Sequence, residues 1–108
     1  GVYDARFFTK EYHGETAVYF NSPIDYLWNQ QDEWFLQRYR QNHYIIAVGQ
    51  GAWEAQHIAD TKRLQETFAA KGIDAWFDYW GHDVPHDWTA WRDQMPYFLS
   101  KLEEQGVI

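Results

Sequence analysis

The chain has 108 residues, and its 16 Asp and Glu against 9 Lys and Arg give a formal net charge of −7. That length fits one domain, and the acidic balance argues against a nucleic-acid partner, whose phosphates call for clustered Lys and Arg. Cysteine is absent, which excludes disulfide scaffolds, thiolate nucleophiles and Cys-based zinc sites, and no apolar run approaches the ~20 residues that cross a bilayer, so no membrane partner is expected.

Apolar residues make up 45% of the chain, with 7 Trp, 8 Tyr and 7 Phe. Burial of so many large side chains can offset the entropy of ordering the backbone, so a folded domain with a sizeable core is expected. The chain opens Gly1-Val2-Tyr3-Asp4 and its only methionine is Met95, the pattern expected of a piece of a longer polypeptide. A cytoplasmic location is expected, with secretion left open.

Residues 1–43 carry Phe7, Phe8, Tyr12, Tyr19, Phe20, Tyr26 and Trp28 without a sustained period, which predicts loops and one short helix. Asp32 to Arg40 is acidic at its start and basic at its end, which suits the helix dipole and predicts a short helix. Tyr44 to Val48 is a continuous apolar run closed by Gly49-Gln50-Gly51, as expected of a strand covered on both faces.

From Glu54 to Lys71 the period becomes helical, with Ile58, Thr61, Leu64, Gln65 and Phe68 on one face and Gly72 placed to end the helix. Ala75 to Trp80 reads as a second strand ended by Gly81. Strand, helix and strand form a β-α-β unit with parallel strands, so the predicted fold class is α/β. The last stretch spaces Trp88, Trp91, Met95, Phe98, Leu99 and Leu102 as a helical stripe ending before Gly106. Pro96 is expected to kink or divide that helix, because proline lacks the donor for the bond one turn back.

Two parallel strands do not complete an α/β domain, because such sheets need further strands and helices on both faces. Either copies of the chain associate or strands from the same protein are missing, and the second is favoured. With its sheet edge and faces bare, the folded chain is expected to form a dimer or larger oligomer.

In open α/β sheets chemistry collects beyond the carboxyl ends of the strands. Here Gly49-Gln50-Gly51-Ala52-Trp53-Glu54 follows the first strand and Gly81-His82-Asp83-Val84-Pro85-His86-Asp87-Trp88 the second. An acid loop followed by a histidine loop matches the chain order of the last two triad members in α/β-hydrolases.

Gly1-Val2-Tyr3-Asp4, Tyr19-Phe20-Asn21-Ser22-Pro23, Val48-Gly49-Gln50-Gly51-Ala52-Trp53-Glu54, Lys71-Gly72-Ile73, His86-Asp87-Trp88 with Trp91-Arg92, and Pro96-Tyr97-Phe98-Leu99 together resemble the C-terminal part of bacterial esterases of the esterase D-like α/β-hydrolase group. The resemblance covers essentially the whole chain, and His-Asp-Trp is its most specific part. It implies the C-terminal portion of an α/β-hydrolase sheet, in a serine esterase whose Gly-x-Ser-x-Gly elbow lies upstream of Gly1. This sequence departs from the pattern in having only Ser22, before a proline, and Ser100, in the last helix. The 108 residues alone are therefore expected to be inactive.

By this resemblance His86 carries over as the general base; without it, a loop histidine capping the next helix is the plainer expectation. Glu54, three residues past Gly51, is the first choice for the acid that orients the imidazole, against the plain alternative of an acidic residue favoured in a first helical turn. Asp60 is the reserve acid, although its place one to two turns into the helix suggests a solvated face. A small-molecule ester is the implied substrate, and the missing N-terminal part of the same protein or a second copy is the implied partner.

No cofactor and no metal are expected. His82, His86, Asp78 and Asp83 could be gathered into a metal cluster, but Pro85 breaks helical His-x-x-x-His geometry and mixed ligands in one loop are a weak pattern. A different function class also fits the composition: a non-catalytic, aromatic-rich module binding a ligand or partner. Aromatics at helical spacing, such as Trp88 and Trp91, are more often core than binding surface.

Overall fold

The computed structural model describes residues 13–108; Gly1-Val2-Tyr3-Asp4, Phe7, Phe8 and Tyr12 lie outside the described residues. The elements in chain order are α1 (Thr16–Tyr19), α2 (Pro23–Asn29), α3 (Glu33–Arg40), β1 (Ile45–Val48), α4 (Ala55–Ala70), β2 (Trp76–Tyr79) and α5 (Trp88–Glu104). The fold is mixed α/β. None of its described helices is long and apolar enough to cross a membrane.

Before α3 the described residues form two helices, where loops and one short helix were expected. In α2, Pro23 occupies the first turn, where its missing N–H costs nothing and its fixed φ suits the helix. In α3 the Asp32 carboxylate caps the helix by accepting from the Trp34 N–H at 2.9 Å, while Arg38 and Arg40 lie in the last turn.

β1 and β2 are parallel, with Ile45 opposite Trp76, Ile46 opposite Phe77, Ala47 opposite Asp78 and Val48 opposite Tyr79. Among the described residues the sheet has these two strands only, so each has one paired edge. Alternation along the strands packs Ile46 and Phe77 against the core of Ile24, Leu27, Leu64, Phe68 and Ile73, supplied by α2, α4 and the turn after α4. It sends Trp76 to the opposite face, where its ring and that of Trp80 meet Tyr97 and Phe98 of α5 at centroid distances of 5.1 to 6.1 Å. Where bare sheet faces were expected, the described residues place α4 over one face and α5, through these ring contacts, over the other, and every strand residue except Val48 is half-buried.

The buried stripe of α4 is His57, Asp60, Thr61, Leu64, Thr67 and Phe68. Gln65, assigned to that face from its spacing, is exposed and accepts a hydrogen bond from the Tyr79 hydroxyl at 2.7 Å. Gly72 ends the helix with φ of +67°, the left-handed turn that glycine adopts without steric cost.

α5 runs unbroken across Pro96 and is neither divided nor a core helix. Ala90 is its one fully buried residue, and Trp88, Met95, Tyr97 and Leu99 are exposed. A regular apolar period marks the face nearest the sheet without guaranteeing its burial, because here bulky rings from both sides fill the gap and hold the helix at arm's length.

Candidate functional site

The site assembles where the loops leaving β1 and β2 run against each other. Gln50 N–H donates to the Gly81 carbonyl at 3.1 Å, Gly51 N–H to Val84 at 3.0 Å, and His86 N–H to Ala52 at 3.0 Å. These three bonds seal two loops that come from neighbouring strand ends. The approach is so close that a Cβ at Gly49 would fall on the Val84 carbonyl, and one at Gly51 would lie 2.8 Å from the His82 carbonyl oxygen. Glycine is required at both for steric reasons alone.

At the end of the first loop Trp53 has φ of +66°, the one non-glycine residue with positive φ among those described, and its side chain is 87% exposed. A bulky residue in the left-handed region is sparsely populated and costs on the order of 1 kcal/mol or more. The turn there swings the chain into α4 and inward at Glu54, which is only 2% exposed.

Glu54 occupies the N-cap position of α4 but makes no side-chain capping bond. Its Oε1 instead lies 3.3 Å from Nδ1 of His86, and its buried Oε2 has no hydrogen-bond partner among the described residues. The plain alternative for His86 also gives way: Asp87 caps α5, its Oδ1 accepting from the Trp88 N–H at 2.6 Å. The two first-choice site residues, 32 positions apart in the chain, are thus brought together.

Asp60 lies elsewhere on α4. It is buried rather than solvated, correcting the expectation from helix position, and its Oδ1 accepts from Gln56 Nε2 at 3.0 Å with Arg63 at 3.8 Å. Of the residues considered as a metal cluster, Asp78 accepts from the indole N–H of Trp80, two residues on at the end of β2, at 3.0 Å.

His57 was not singled out by its sequence position. It lies in the first turn of α4, is 1% exposed, and stacks its ring on that of His86 at 4.3 Å with 17° between planes. Spacing of i to i+3 from Glu54 placed it within reach of the same spot. Trp91 of α5 meets His86 edge-on at 4.9 Å and 85°, and Trp88 continues the row outward at 5.2 Å from Trp91.

Donor atoms of Glu54, His57 and His86 all lie within 4.8 Å of one another, a set of chemical types that suits a divalent transition metal. The stacking works against it. An imidazole binds a metal in the plane of its ring, and two nearly parallel, offset planes cannot both contain one ion at the ~2.0–2.1 Å of a metal–nitrogen bond unless a ring turns. The arrangement as it stands is a buried carboxylate 3.3 Å from Nδ1 of a partly exposed imidazole.

Comparison of the chain with protein-family models, with curated proteins and with solved structures finds no match.

Proposed function

We propose that this chain is the acid–base portion of a serine carboxylic ester hydrolase, the C-terminal part of an α/β-hydrolase sheet of the esterase D-like group, with Glu54 as triad acid and His86 as base. One observation carries the reading: a carboxylate buried at the end of one parallel strand reaches Nδ1 of a histidine delivered from the end of the next. Asp60, engaged by Gln56, stays in reserve.

The chemistry follows from that contact. Nδ1 lies 3.3 Å from Glu54 Oε1; with the proton on Nδ1, Nε2 is the nitrogen that takes a proton from a serine hydroxyl as its oxygen attacks the ester carbonyl. The imidazolium so formed lies against the Glu54 carboxylate, then returns the proton to the departing alcohol as the tetrahedral intermediate collapses to an acyl-serine. Water repeats the cycle with the same base and releases the acid. The serine and the elbow that presents it are supplied from outside these 108 residues, by the rest of the same polypeptide.

The test is turnover of a chromogenic short-chain ester by a longer product of the same gene that carries the elbow. His86→Ala and Glu54→Gln are each expected to lower kcat by about 10⁴-fold. Undiminished turnover in His86→Ala removes the reading.

The exposed rings of Trp53 and Trp88 favour a second reading, a non-catalytic module that stacks a ligand or partner on these indoles. Tryptophan fluorescence of the 108-residue chain against small esters and sugars separates the two: saturable quenching abolished by Trp53→Ala supports the module.

A further inference from the structure

We infer that His57 is a positioning residue, a buried ring that fixes the plane of His86 so that Nδ1 stays directed at Glu54. Its catalytic meaning rests on His86 being the base proposed above; the stack itself does not.

The terminal torsion of a histidine side chain is broad, so the plane of the His86 ring depends on what packs against it as well as on the 3.3 Å contact at Nδ1. Two aromatic rings pack on it. Trp91 meets the ring edge-on, and His57 lies flat on it at 17° between planes. Of these, His57 is the anchored one: it is fully buried on a four-turn helix, whereas Trp91 is half-buried on a helix held to the sheet through ring contacts. A carboxylate oxygen of Glu54 lies within 4.8 Å of a nitrogen of each ring, and of the two rings His86 is the one with access to water while His57 is buried.

The experiment records long-range ¹H–¹⁵N imidazole spectra of the 108-residue chain as wild type, as His57→Phe and as His57→Leu. The wild type is expected to show His86 as the single tautomer protonated at Nδ1. Phenylalanine keeps a flat ring at position 57 and is expected to preserve that tautomer, whereas leucine, of comparable apolar bulk but without a face, leaves His86 averaging between tautomers. A lone Nδ1–H tautomer persisting in His57→Leu, with the backbone amide spectrum unchanged, overturns the inference, as does averaging already in the wild type.

Should the leucine variant unfold, the wild-type chain still decides: upfield ring-current shifts of the His86 ring protons and their cross-relaxation with His57 are required, and their absence refutes the stack. Zinc ion added to the wild type is the further check, since micromolar binding that moves both histidines together would replace the stack by a metal site. In the longer esterase, His57→Leu is expected to lower kcat by roughly 10²-fold, the scale of a displacement near 1 Å, with KM unchanged and with rescue by His57→Phe. If that protein hydrolyses no ester while the spectra behave as expected, the esterase reading fails and the positioning role of His57 stands.

Discussion

The two faces of the β1–β2 sheet are covered by quite different means. On one, α4 presses Leu64 and Phe68 against Ile46 and Phe77, with α2 closing the core from behind. On the other, α5 reaches Trp76 and Trp80 through Tyr97 and Phe98 and leaves most of its own length in solvent. A close-packed face gains both transfer energy and dispersion from every methylene, while a face bridged by ring edges gains a few discrete contacts. Stability should therefore reside with α4, and the α5 side should give way first.

The largest expected effect is on the α4 side. Phe68 touches Tyr44 and Phe77 edge-on at 5.2 and 5.4 Å, and Phe68→Ala is expected to cost about 3–5 kcal/mol in urea unfolding. Phe98→Ala, its counterpart on α5, should cost about half of that or less, since the ring is half-buried at the outset. Equal losses would dissolve the contrast between the faces.

Next comes the seam between the loops. Gly49→Ala sets a methyl group against the Val84 carbonyl, and overpacking of that kind costs about 1–3 kcal/mol. Because the collision is local, the variant is also expected to separate Glu54 from His86, visible as a changed His86 imidazole spectrum while the α4 amides keep their positions. Leu99→Ala, at an exposed site on α5, should change stability by no more than about 0.5 kcal/mol.

The smallest effect is alkaline. Burial raises the phenols of Tyr26 and Tyr79 above their ordinary value of 10.0, so the folded state favours their neutral forms. The stabilisation this brings is complete below the ordinary value and is lost as pH climbs through the raised folded values. Tyr79 then also loses the proton it donates to Gln65. Both residues belong to the α4 side, so thermal melts between pH 9 and about 11 are expected to lose stability there, and Tyr79→Phe should flatten part of that dependence.

Much of this was legible in the sequence. The β-α-β unit followed from a continuous apolar run, a helical period and Gly72, each fixed by short-range patterning. Glu54 and His86 were singled out because both lie just beyond strand ends, with His86 resting largely on the family resemblance, and the structure brings the two side chains together. What escaped was what depends on packing at a distance. His57 carries no signal beyond its i to i+3 spacing from Glu54, and the ring it stacks on is 29 positions away. The exposure of Trp88 and Met95 could not be read from a stripe whose period is the same whether the gap beneath it is filled by that helix or by rings from the sheet. The burial of Asp60 likewise arises from elements packed around α4.

The three backbone bonds that join the loops have a consequence for the timing of events in the chain. Their donors, the amides of Gln50, Gly51 and His86, sit outside any helix or strand, where backbone hydrogens ordinarily trade with solvent as soon as a loop breathes. Here they open only when the two strand ends part. Their exchange rates therefore count the openings of the Glu54–His86 junction directly, in the absence of substrate, and slow exchange at all three with a common rate would mark the junction as one cooperative unit.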